Sequence, residues 1–134
     1  MLELALNHGK SLMKLKDIAK KENISEKYLS QIIIPLKGAG FVSSTRGAHG
    51  GYVLKKPPAQ ITVKDIVELL EGDISLVECV ENPSLCYRTT FCSTRDVWSK
   101  LSTQISEVLS SVSLEDLKQN ARQKIKHSKY TYQI

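Results

Sequence analysis

The segment Arg46-Gly47-Ala48-His49-Gly50-Gly51 holds three glycines in six residues and stands between two runs that read as strands, Phe41-Val42-Ser43-Ser44-Thr45 and Tyr52-Val53-Leu54. Apolar and β-branched residues on either side of such a segment specify a hairpin with a connection longer than two residues. Glycine-rich loops also cradle nucleotide phosphates, but those lead from a strand into a helix, whereas this one leads into a strand.

What precedes the hairpin narrows the fold further. Leu29, Ile32, Ile33 and Leu36 fall at i, i+3, i+4 and i+7, one face of a helix over residues 26–39. Ser25 is placed to cap it. Pro35 removes a backbone donor and predicts a kink, and Gly38 and Gly40 end the helix. Residues 14–22 read as a shorter helix with Leu15, Ile18 and Ala19 inward, and Asn23-Ile24 makes the turn between the two. Residues 1–8 read as one more helical piece, with Leu2, Ala5 and Leu6 on one side and Gly9 as its stop. Two helices joined by a tight turn form a helix-turn-helix, and a hairpin directly after it makes a winged helix-turn-helix. The predicted fold class is therefore mainly α with a small β-wing.

The rest of the chain divides by composition. Lys55-Lys56-Pro57-Pro58 is a linker that closes a winged domain over residues 1–58. Thr62 and Asp65 approximate a capping box for a connecting helix, in residues 59–72, with Val63, Ile66, Val67 and Leu70 inward and Gly72 as its stop. Residues 73–92 have no period and contain all three cysteines. Ser93 and Asp96 resemble a second box. Behind them Val97, Trp98, Leu101, Ile105, Val108, Leu109 and Val112 stripe a helix of roughly 18 residues. That is long for the core of a 134-residue chain, so residues 93–120, including a short last helix, read as a dimerisation region that makes a homodimer. Residues 121–134 are basic, show no apolar period in this reading, and are expected to form a disordered tail.

Charge is unevenly spread. Residues 10–56 hold ten Lys or Arg and three acids, residues 57–117 hold four and ten, and residues 118–134 hold five and none. A basic first third suggests a lobe that binds a polyanion, beside a lobe with another task. No apolar run approaches the ~18 residues of a membrane span, and Met1-Leu2-Glu3-Leu4 has no basic n-region or apolar h-region. A cytoplasmic location with no membrane partner is expected, and an odd number of cysteines in a reducing compartment argues against a disulfide framework.

Cys79, Cys86 and Cys92 stand directly before the long helix, whose N-terminus favours negative charge. Zinc sites usually pair cysteines more closely, and this spacing suits the wider span of an iron–sulfur cluster. Unpaired thiols and a redox dithiol are the alternatives. A fourth ligand could come from His8, His49, Glu78, Glu81 or Asp96, but not from the donor-only guanidinium of Arg95. No G-x-S-x-G, P-loop or H-E-x-x-H motif marks an enzyme, and the sequence sets no obvious nucleophile motif around any of its three histidines.

With these features in place, the chain resembles the IscR/NsrR-type (Rrf family) winged-helix transcription regulators of bacteria, closest to their IscR-like members. The resemblance rests on Leu15-Lys16-Asp17-Ile18-Ala19, on Ile24-Ser25-Glu26-Lys27-Tyr28-Leu29-Ser30-Gln31, on residues 40–52 and on Ile61-Thr62-Val63-Lys64-Asp65-Ile66, and covers residues 1–115. It implies a homodimer whose recognition helices enter successive major grooves of a pseudo-palindromic duplex DNA while the wings reach the minor groove. Tyr28, Ser30 and Gln31 are then implied at the DNA surface, with Gln31 reaching a base edge. Arg46, Gly47, His49 and Gly50 are implied in the wing, with Arg46 in the minor groove, and Ser25 and Lys27 on phosphates. Cys79, Cys86 and Cys92 are implied to hold an iron–sulfur cluster, of the [2Fe–2S] kind, that modulates DNA affinity in a regulator, with repressor as the expected class, of genes for cluster biogenesis or redox stress. A zinc- or thiol-switched repressor on the same scaffold is the alternative. Three positions depart from the family pattern: Met1 falls inside the first helix, as a shortened N-terminus would place it; Arg95 stands where IscR proper has His; and Ser30 replaces an acidic residue common beside Gln31.

Overall fold

Short-range signals place the first elements. In the computed structural model, which describes residues 1–131, α1 spans Leu2–Leu6, α2 Leu15–Glu22 and α3 Glu26–Gly38. Asn23 closes α2 in the left-handed conformation at φ 53°, which asparagine tolerates better than most residues. Ser25 caps α3, its Oγ accepting from the Tyr28 N–H at 3.1 Å. α3 continues through Pro35. The carbonyl that proline leaves without an intrahelical donor belongs to Gln31, an exposed residue that water can reach. In α1 the buried residues are Leu4 and Ala5, so the inward face is rotated from the expected Leu2–Ala5–Leu6 side.

The hairpin forms where expected. β1, Val42–Thr45, pairs antiparallel with β2, Gly51–Leu54, in the register Val42↔Leu54 to Thr45↔Gly51. Met13 adds a bridge on the other edge of β2: its N–H donates to the Tyr52 carbonyl at 3.0 Å and its carbonyl accepts from the Tyr52 N–H at 2.8 Å. This third rung has no strand pattern of its own and is absent from the sequence reading. The core lies between these layers. Leu4 and Ala5 meet Ile18, Ala19, Leu29, Ile33 and Leu36 from the helices and Val42 and Leu54 from the sheet.

The second half is tied back onto this core. Thr62 and Asp65 form a full capping box at the start of α4, Val63–Glu71. α5, Glu78–Glu81, and a 3₁₀ turn over Pro83–Leu85 occupy the cysteine segment. α6, Ser93–Ser111, is 19 residues long and buries none of them. Its N-cap is Cys92, not Ser93, and Asp96 makes no return bond, so the second box is not formed.

α7, Leu114–Thr131, replaces the expected short helix and disordered tail over the residues described; residues 132–134 lie outside them. The reason is local and tertiary together. Residues 114–131 contain no Gly or Pro, and Leu114, Leu117, Ala121 and Ile125 fall at helical spacing. Ser113 and Asp116 cap its start reciprocally, at 2.8 Å and 3.1 Å. The Leu114 N–H donates to the Ile61 carbonyl at 2.9 Å, and Leu114 and Ile61 are the largest side chains fully enclosed among the described residues, at 1% and 0% exposure. Arg122 and Ile125 then share one surface groove with Leu6 of α1 and Asn7, which follows it.

Candidate nucleic-acid interface

Burial of Leu29, Ile33 and Leu36 fixes which face of α3 turns outward. Lys27, Tyr28 and Gln31 are on it, with Tyr28 55% exposed despite its aromatic ring. Ile34, 67% exposed, extends the same surface. Ser25 uses an oxygen lone pair for the cap, which leaves its hydroxyl proton for an outside acceptor. Ser30 donates its proton to the Glu26 carbonyl at 2.8 Å, inside its own helix. Among the described residues no carboxylate pairs with Lys27 or Arg46.

The wing owes its shape to close backbone approaches. A side chain at Gly50 would overlap the Thr45 carbonyl oxygen, and a Cβ at Gly51 would stand 2.6 Å from the Met13 carbonyl oxygen. Gly47 takes φ 111°, a conformation that favours glycine. Arg46, Gly47 and His49 are exposed on this turn. Arg46 lines an open notch of about 390 Å³ with Lys14 and Lys37. Those two lysines were not singled out in the sequence. Lys14 is brought beside the wing by the neighbouring Met13 bridge, a contact between segments far apart in the chain.

The cysteines are unpaired and half-buried. Cys79 is in α5, Cys86 follows the 3₁₀ turn and Cys92 occupies the N-cap position of α6. Thr94 lies 3.2 Å from the Cys92 sulfur; this hydrogen bond, with one from the Arg95 backbone, holds the Cys92 thiol below its usual range. Arg95 also donates from Nε to the Cys79 carbonyl at 3.0 Å, which links α6 to α5. Among the described residues no three His, Cys, Asp or Glu side chains converge on one point, so the three thiols are neighbours in sequence rather than an assembled ligand set. Of the candidate fourth ligands, His49 is on the wing and Glu78 and Glu81 are on α5 with Cys79. No helix among the described residues is long and apolar enough to cross a membrane.

Comparison with known proteins gives a consistent result. The Rrf2 family model, described as an iron-dependent transcriptional regulator, matches residues 1–120. The transcriptional regulator CymR of Bacillus subtilis is 45% identical over 117 residues, which is 87% of this chain and 80% of CymR. IscR of Photorhabdus laumondii is 35% identical over 120 residues, 90% of this chain and 73% of that protein. The solved structure of B. subtilis CymR, described as the global cysteine regulator, matches with a TM-score of 0.76 at 44% identity, covering 89% of this chain and 87% of that one. The structure of T. potens IscR matches with a TM-score of 0.73 at 38% identity, covering 90% and 78%. The two-stranded wing on a helical body agrees with these neighbours, and the chain belongs to the Rrf2 family of transcriptional regulators.

Proposed function

We propose that the protein acts as a homodimer on duplex DNA of pseudo-palindromic sequence, and that an iron–sulfur cluster held by Cys79, Cys86 and Cys92 modulates its affinity. The observation that carries the cluster reading is three unpaired, half-buried thiols within one short segment, the last of them at the N-cap position of α6 and held below its usual pKa range by the Thr94 hydrogen bond. Soft thiolates in a wide spacing are the donor set such a cluster takes, so the residues fit the group chemically. Because the thiols do not converge here, loading would reorder residues 73–92. When bound, the cluster would supply a redox-sensitive tether across that segment.

Dimerisation is supported by α6, whose Val97, Trp98, Leu101 and Val108 are 39–62% exposed. A helix of this length with no buried residue and an apolar stripe is suited to a second copy. Cluster-driven movement at the start of α6 would then change the separation of two α3 helices, each reading one half-site. Base readout falls to Gln31, beside Tyr28, and minor-groove contact to Arg46. Ser25 and Lys27 would hold phosphates, with Gly47, His49 and Gly50 bringing the wing backbone close. Ser30, whose hydroxyl serves its own helix, would contribute mainly by leaving this surface uncharged.

A second reading has its own support. Similarity to CymR, described as a cysteine regulator, and the separated thiols favour a zinc- or thiol-switched regulator without a cluster. Protein purified without oxygen decides between them. The cluster reading expects visible absorption, iron and acid-labile sulfide, loss of all three in Cys86→Ser, and different DNA affinities for loaded and empty protein. Zinc with a DNA affinity that follows zinc occupancy, or no metal with a DNA affinity altered by thiol oxidation, would establish the second reading. Equal affinity in every state would remove the sensor role and leave DNA binding intact.

A further inference from the structure

We infer that Lys14 and Lys37, in the notch they share with Arg46 at the foot of the wing, seat one or more phosphates of the DNA backbone, a site that rests on the DNA-binding reading above. The three cations come from three separate elements. Lys14 is the N-cap of α2, Lys37 lies in the last turn of α3, and Arg46 follows β1. All three side chains are exposed, and they line the same open notch of about 390 Å³. No carboxylate lines that notch, and no acid pairs with any of the three among the described residues. Three like charges in one concavity repel one another unless an anion joins them.

The backbone builds the notch deliberately. The Met13–Tyr52 bridge pins Lys14 to the root of the wing. The Phe41 N–H donates to the Leu36 carbonyl at 3.0 Å, which sets the end of α3 against the start of the sheet. No side chain caps α2, so N–H groups of its first turn remain for an outside acceptor. Ser44 and Thr45 add hydroxyls to the lining. Lysine is a point charge suited to phosphate rather than to a base edge, so this site supplies affinity and register without sequence preference.

Salt dependence of DNA binding reads this directly. Fluorescence anisotropy with a labelled duplex of random sequence compares the full chain with Lys14→Gln, Lys37→Gln and the double variant. Loss of each phosphate contact lowers the log–log salt slope by about 0.9. In the homodimer each substitution removes two contacts, so between about 50 and 200 mM salt wild type should lose about 12-fold more affinity than either single variant and about 150-fold more than the double variant. Circular dichroism confirms folding, and Lys100→Gln on α6 should keep the wild-type slope. Salt slopes unchanged in the variants, with wild-type duplex binding intact, would overturn the site alone. Wild type that binds no duplex would overturn both this site and the DNA-binding reading. A thermal shift by inorganic phosphate that the double variant loses, without any change in duplex slope, would mark a free-phosphate site and overturn the DNA assignment.

Discussion

Replacing Gly51 by alanine tests whether the wing is fastened to the body by backbone contact. The added Cβ would stand 2.6 Å from the Met13 carbonyl oxygen and 2.9 Å from its carbonyl carbon. Both are backbone atoms, so no side-chain rotation relieves the overlap. The Met13 segment must separate from β2, and two hydrogen bonds of 3.0 and 2.8 Å go with it. At a net value of about 0.5–1.5 kcal/mol each, the loss is about 1–3 kcal/mol. An unfolding entropy of about 2.1 cal/mol/K per residue over this chain makes that a fall in Tm of about 4–11 °C. Gly38→Ala is the matched control, because a Cβ there meets nothing within 4 Å; inside a helix it should be neutral or stabilise by up to about 1 kcal/mol. Thermal and urea unfolding by circular dichroism measure both. DNA affinity of Gly51→Ala should also fall, since Lys14 is held by the same bridge. A Gly51→Ala protein with the wild-type Tm would refute the claim that close packing at this point holds the wing.

Two further outcomes follow from packing. Leu114→Ala removes a side chain only 1% exposed where α7 enters the core, and should cost about 2–5 kcal/mol in urea unfolding; a cost under about 1 kcal/mol would mean that α7 is peripheral. Val108→Glu places a charge on the exposed stripe of α6 and should shift light scattering from dimer to monomer with little change in monomer secondary structure; a persistent dimer would place the interface elsewhere.

Much of the winged half is written in local signals. Ser25 has a hydroxyl at the correct distance from the Tyr28 N–H, and the apolar spacing of Leu29, Ile33 and Leu36 leaves one inward face. Thr62 and Asp65 satisfy each other within one turn. Where the sequence misleads, the deciding contact is distant or the local options are near in energy. Ser93 and Asp96 have the residue types of a capping box, yet Cys92 takes the cap position and bonds Thr94. In α1, five residues long, the inward face is chosen by packing and not by period. The helical character of residues 121–131 rests on Leu114 docking beside Ile61, which gives the weak Leu117–Ala121–Ile125 stripe a surface to cover. Lys14 and Lys37 carry no motif; only folding brings them beside Arg46. The outward placement of Tyr28 and Gln31 was legible because they remain once the core face is assigned; a reading role for them was implied only by the family resemblance.

DNA reading requires α3 and the wing to meet the same duplex, and selection of binding sites from random DNA tests this most directly. Wild type should enrich a two-fold symmetric site. Gln31→Ala should lose discrimination at one base pair in each half-site, worth about 1–3 kcal/mol. Arg46→Ala should lose preference for the narrow minor groove flanking it while keeping the major-groove bases. Identical sites from all three proteins, or no enrichment by wild type, would contradict it.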